Sequence, residues 1–175
     1  MMSPVISAIL AALVMLAQAI VFARPPMGRQ PDAPTAVAIV VHPSNGVVNL
    51  TFRELRRIFM LETQAWPGGR RITVVLREKG QRERAEALRL ICGMSELEYE
   101  RHVLFQTFRG TVDRAPRSIR SADTMLRFVF NAPGAIGYVD AAELDGSTKV
   151  LRIDGSLPGD AGYPLQWRVP RPNPR

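Results

Sequence analysis

The chain has 175 residues, of which 46% are hydrophobic and 22% charged; this leaves room for one domain with a moderate core, excluding two large lobes and a disordered chain. A formal charge of +7 favours anionic partners without choosing between small oxyanions, acidic lipids and nucleic acid. No basic tail is present, and aromatic residues at 7% provide no interleaved stacking set, so nucleic acid is not an expected partner.

Pro4 to Ala23 is almost wholly apolar and uncharged, with small residues at Ala17, Ala19 and Ala23. It reads as an export signal over residues 1–23, either cleaved or kept as an N-terminal membrane anchor, although MMSP lacks the usual basic charge. Both readings place the folded part in the periplasm or another extracytoplasmic compartment. Residues 24–35 form a Pro-rich linker. The α/β domain is expected over 36–157, and the Pro-rich tail over 158–175 is expected to be extended.

Ala36–Val41 is a continuous apolar run suited to a buried parallel strand. His42-Pro-Ser-Asn-Gly46 ends it with turn formers. Thr51-Phe-Arg-Glu54 is a capping box, after which Phe52, Leu55, Ile58 and Phe59 form an inward helical face. Trp66-Pro-Gly-Gly69 is a turn, and Ile72–Leu76 a second buried strand. After a charged corner at Arg77-Glu-Lys-Gly-Gln-Arg82, the pattern predicts a helix with Ala85, Leu88, Ile91 and Cys92 inward and Gly93 at its end.

Ser95-Glu-Leu-Glu98 is a second capping box opening a helix that carries Leu97, Leu104 and Phe108. A loop is expected from Arg109 to Arg120, then a helix with Met125, Leu126, Val129 and Phe130 inward. Asn131-Ala-Pro-Gly134 stops that helix. Ala135–Val139 and Val150–Ile153 read as the last strands. Alternation of strands and helices predicts an α/β layer with a mainly parallel central sheet flanked by helices. In such sheets ligands gather beyond the strand carboxyl ends, where helix N-termini point.

Ile39-Val-Val-His-Pro-Ser-Asn45 with Leu50–Phe59, Trp66-Pro-Gly-Gly69, Val74–Arg84, and Asn131–Val139 with Arg152-Ile-Asp-Gly155 follow one another in a distinctive order. Together they resemble the periplasmic phosphate-binding proteins of ABC transporters and their binding-protein-like relatives over roughly residues 36–155. The resemblance implies a lobe of the periplasmic-binding-protein type, holding inorganic phosphate or a similar oxyanion and serving a membrane transporter or sensor. It points to Ser44, Asn45, Arg77, Gly80, Gln81 and Arg82 as ligand-binding residues. Helix N-terminal amides and an arginine suit such a ligand.

The sequence departs from that pattern in two respects. About one lobe's worth of chain is present, and the corner carries Gln81 and Arg82 where the family usually has a Ser-Gly-Thr turn. A degenerate single-lobe module that binds a protein partner and no small ligand is therefore the competing reading. Arg109-Gly-Thr111 with Arg114 forms a second basic loop.

Nothing in the sequence suggests catalysis. The acidic residues lie among arginines, no serine occupies a nucleophile elbow, and the single cysteine sits on an apolar helix side. His42 and His102 lack partners at metal-ligand spacing, and no cofactor pattern is found.

Overall fold

The computed structural model describes residues 35–112 and 114–167. The segment read as an export signal and nearly all of the linker lie outside them. Among the described residues no helix is long and apolar enough to cross a membrane.

Strand β1 (Thr35–Val41) is the spine of the molecule. Its residues from Ala36 to Val41 are all buried, because it has strands on both sides and helices over both faces. Val37, Ile39 and Val41 join one core cluster, while Ala38 and Val40 join the other. This is the period-two alternation of a strand, with both faces apolar.

The remaining strands are β2 (Asn49–Leu50), β3 (Thr73–Arg77), β4 (Arg117–Ile119), β5 (Ala135–Asp140), β6 (Lys149–Val150), β7 (Arg152–Ile153) and β8 (Gln166–Trp167). The main sheet has the order β4-β3-β5-β1-β6, with β8 also paired to β1, and β2 pairs with β7 separately. Strand β3 runs parallel to both β4 and β5, whereas β5, β6 and β8 are all antiparallel to β1. One strand, β1, thus runs against the common direction of the rest. The mainly parallel sheet holds, with β1 itself as the correction. Its unbroken apolar run reports burial on both faces and carries no information on direction.

Helix α1 (Phe52–Phe59) starts at the expected capping box: Thr51 accepts from the Glu54 amide, and Glu54 accepts from the Thr51 amide. Helix α2 (Arg82–Cys92) ends at Gly93, whose φ of +70° is the left-handed conformation glycine adopts without strain. Helix α3 (Glu96–Phe108) begins at the Ser95–Glu98 capping box. These helices bury Leu55, Ile58, Phe59, Leu88, Ile91 and Tyr99 with β1 residues Ile39 and Val41. Helix α4 (Ala122–Asn131) covers the other face with Met125, Leu126 and Val129.

Several expectations shift by a residue or a face. In α2 the inward set is Arg84, Ala87, Leu88, Ile91 and Cys92, while Ala85 is exposed; a buried arginine takes the position the apolar pattern skipped. Phe130 is half-exposed, and Ala122 is buried instead. Strand β4 lies inside the expected 109–120 loop. Beyond Leu157 the chain returns to the core: Tyr163 and Leu165 are buried, Tyr163 donates its hydroxyl to the Val37 carbonyl, and β8 pairs with β1. The domain therefore extends past 157.

Candidate anion-binding corner

Strand β3 delivers Arg77 to its carboxyl end, and the chain turns at Gly80 (φ +76°) into the N-terminus of α2. Gly80 is needed there for its backbone freedom, since no atom lies within 4 Å of the position a Cβ would take. Gln81 is the N-cap residue of α2 but makes no side-chain capping hydrogen bond.

Two arginines are buried at this corner. Arg77 is 6% exposed and Arg84 3%. The Arg77 amide donates to the Tyr138 hydroxyl at 3.1 Å, and Arg84 Nη1 donates to the Arg77 carbonyl at 2.8 Å. Tyr138 is itself buried, and loss of hydration holds its hydroxyl pKa well above the usual tyrosine range. The side chain of Arg77 shares the face of Val75, the α4 side of the sheet. Its Nε and Nη1 are buried and have no hydrogen-bond partner among the described residues. Buried polar groups are nearly always paired, so these two nitrogens, like Arg84 Nε nearby, have capacity for an acceptor.

Carboxylates from α3 approach the same corner. Glu96 Oε2 accepts from the Gly80 amide at 3.4 Å, and its Oε1 lies 3.4 Å from Arg84 Nε. Glu100 pairs with Lys79 at 2.8 Å and lies 4.0 Å from Arg84. An internal carboxylate thus already faces one of the amides that an anion would use. Beside them lies a cavity of about 500 Å³, bordered by Leu76, Lys79, Arg84, Glu100, Val103 and Leu104.

Of the expected site residues, Arg77, Gly80, Gln81 and Arg82 come together here. Ser44 and Asn45 do not. Val41 of β1 is level with Ile136 of β5, which is level with Val74 of β3. Continuing that register places Arg77 level with Val139 and with Ala38, midway along β1 and well short of the turn holding Ser44 and Asn45. Because β1 is reversed, its carboxyl end lies at the opposite edge of the sheet. There Ser44 hydrogen-bonds His42 Nδ1, and Asn45 Oδ1 accepts from the Val47 amide. Both line a separate hollow of about 190 Å³ with Trp66, Gly68 and Arg70. Asn45 Nδ2 is buried there without a partner among the described residues.

No family model matches the chain, and no curated protein sequence does so either. Solved structures do. An ABC-type phosphate transport receptor from Vibrio cholerae superposes with a TM-score of 0.59 at 24% identity, covering 72% of this chain and 49% of that one. PstS from Borrelia burgdorferi gives a TM-score of 0.62 at 15% identity, covering 78% and 56%. A phosphate-binding protein from Stenotrophomonas maltophilia gives 0.51 at 18%, covering 71% and 40%.

The chain shares its fold with part of each of these proteins. It spans about half the length of the structures it matches.

Residues that sequence reasoning passed over complete the corner: Arg84, Glu96, Glu100 and Tyr138. Arg84 left a signal, since it stands at helical spacing from Leu88 and Ile91 and so falls on the buried face. The long-range approach of Glu96 and Tyr138 left none. Elsewhere, His102 Nε2 contacts the Met60 carbonyl at 2.9 Å, and His42 stacks on Phe130. Cys92 is fully buried, and loss of hydration pushes its thiol pKa up to about 12, which leaves it neutral and inert. In the second basic loop, Arg109 lies over its neighbour Phe105, and Arg114 lines a cavity with Arg71 and Arg117.

Proposed function

We propose that this lobe binds phosphate or a related oxyanion at the N-terminus of α2, held by main-chain amides at Gly80, Gln81 and Arg82 and by the guanidinium of Arg77. In this reading it is an extracytoplasmic solute-binding module that serves a membrane transporter or sensor, in the manner of the phosphate receptors whose fold it shares. The observation that supports the reading is the buried Arg77 side chain, whose Nε and Nη1 find no partner among the described residues, at the carboxyl end of the strand that leads through Gly80 into α2. A bound oxyanion would satisfy it with charge-assisted hydrogen bonds.

Calorimetric titration of the full chain with phosphate and then sulfate, at low and high salt, tests this. Saturable binding that survives high salt and is weakened by Arg77→Ala or Arg82→Ala is the expected result. Unchanged affinity in both variants would place the ligand elsewhere.

The second reading, a partner-binding module without a small ligand, is favoured by one observation. The Gly80 amide already faces the Glu96 carboxylate. Absence of heat with every oxyanion would select it.

A further inference from the structure

Helix α3 is apolar on two opposite sides. At 100° per residue, Tyr99, His102 and Val103 fall on one side and Leu97, Leu104 and Phe108 on the other. Tyr99 is buried in the core and donates its hydroxyl to the Phe59 carbonyl. The outer stripe is open: Leu97 and Leu104 are each 58% exposed and Phe108 82%, with Phe105 beside them at 53%. A surface helix with one buried side has no need of a second apolar stripe, and a contiguous patch of large exposed side chains marks a contact surface.

We propose that this stripe is covered by α3 of a second copy of the chain, packed antiparallel about a two-fold axis near Leu104. The sequence of the helix is self-complementary in that arrangement. Leu97 of one chain meets Phe108 of the partner subunit at each end, and Leu104 meets its own counterpart near the axis. On one flank, acidic Glu98 in the first turn comes opposite basic Arg109 of the partner subunit at the helix end. Arg101 comes over Phe105 of the partner subunit. A two-fold interface repeats each contact, so a single charge match and a single cation–π match each occur twice. A parallel pair would separate Glu98 from Arg109 of the partner subunit by most of the length of the helix, so this charge match would be lost.

The stripe is continuous with the corner, because Leu104 and Glu100 also border the cavity beside Lys79 and Arg84. The second copy therefore lies along the rim of that cavity. The inference stands on α3 alone and is independent of the oxyanion reading.

The test uses the full chain and two readouts. Sedimentation velocity across micromolar concentrations is expected to show a monomer–dimer equilibrium, with Phe108→Glu raising the dissociation constant by about 30-fold or more. Mild oxidation of Leu104→Cys is expected to give a covalent dimer, whereas Val48→Cys, exposed away from α3, gives none at the same rate. The native Cys92 is buried and does not contribute. A concentration-independent monomer would overturn the proposal and leave the stripe to a different protein. Dimers that resist Phe108→Glu, or equal cross-linking of both cysteine variants, would also overturn it by showing association through another surface.

Discussion

Arg84 Nη1 donates to the main-chain carbonyl of Arg77 at 2.8 Å, tying the first turn of α2 to the last residue of β3. The same guanidinium faces Glu96 and Glu100 across to α3. One buried side chain therefore joins a strand end and two helices, and its positive charge is compensated in place. Removing it leaves the Arg77 carbonyl without its donor and takes the buried cation away from Glu96, while Glu100 keeps Lys79. Arg84→Ala is expected to lower the unfolding free energy by about 2–3 kcal/mol, as for a lost hydrogen bond to a charged group. Arg84→Met keeps the volume but not the charge and is expected to cost no less at Glu96. Urea unfolding followed by circular dichroism reads both; an unchanged midpoint for Arg84→Ala would show that the link contributes nothing.

Glu96 stands where it competes with any anion for the Gly80 amide and for Arg84. Glu96→Gln removes that internal negative charge while keeping the side-chain shape. Oxyanion affinity, read by calorimetry, is expected to rise several-fold in this variant, with no change in the number of sites. A fall in affinity would mean that Glu96 orders the corner rather than occupying it.

Gly134 is the tightest glycine among the described residues. A Cβ there would stand 2.2 Å from the Arg71 carbonyl oxygen, which is main chain and cannot swing away. Its own carbonyl accepts from the Thr73 amide and from Trp66 Nε1, so it also ties the turn at Trp66 to the start of β3. At Gly137 an added Cβ would meet the Met125 side chain, a flexible neighbour. Gly134→Ala is expected to cost about 2–3 kcal/mol and Gly137→Ala less. Thermal unfolding of the two variants ranks them, and the reverse order would contradict the packing described.

The capping carboxylates contribute to the acid limb of stability. The Ser95 main-chain amide, and then its hydroxyl, hold the Glu98 carboxyl below its ordinary value of 4.5; Thr51 does the same for Glu54. A group whose folded pKa is depressed contributes its full stabilisation above its ordinary value and loses it as pH falls through the folded value. Stability is thus expected to decline progressively below about pH 4.5, and Glu54→Gln with Glu98→Gln to flatten that decline. Urea midpoints measured from pH 6 to pH 3 check it; parallel curves for the double variant and the parent would refute it.

Local signals in the sequence were reliable where they had local causes. Both capping boxes and the Gly93 stop appear as read, and the apolar run of β1 is a buried strand as read though not a parallel one, since caps, stops and burial follow from hydrogen bonds or composition within a few residues. What failed was set at long range. Nothing in Ala36–Val41 tells which way its neighbours run, and that reversal sends Ser44 and Asn45 to the wrong edge for a single site. Strand β4 is a short, largely exposed edge, so Arg117-Ser-Ile119 has no apolar alternation to betray it. In α3 the apolar residues were visible, but the outward direction of Leu97, Leu104 and Phe108 depends on Tyr99 taking the core side. The Gly80 corner was legible because a strand, a glycine turn and a helix start are contiguous. The α3 carboxylates that face it are not.

The amide resonance of Gly80, followed in the full chain by heteronuclear NMR during phosphate titration, tests the central claim most directly. A saturable shift at Gly80, Gln81 and Arg82 that disappears in Arg77→Ala is the predicted result. Saturable shifts confined to the Ser44–Gly46 turn, or none anywhere, would contradict an oxyanion site at the start of α2.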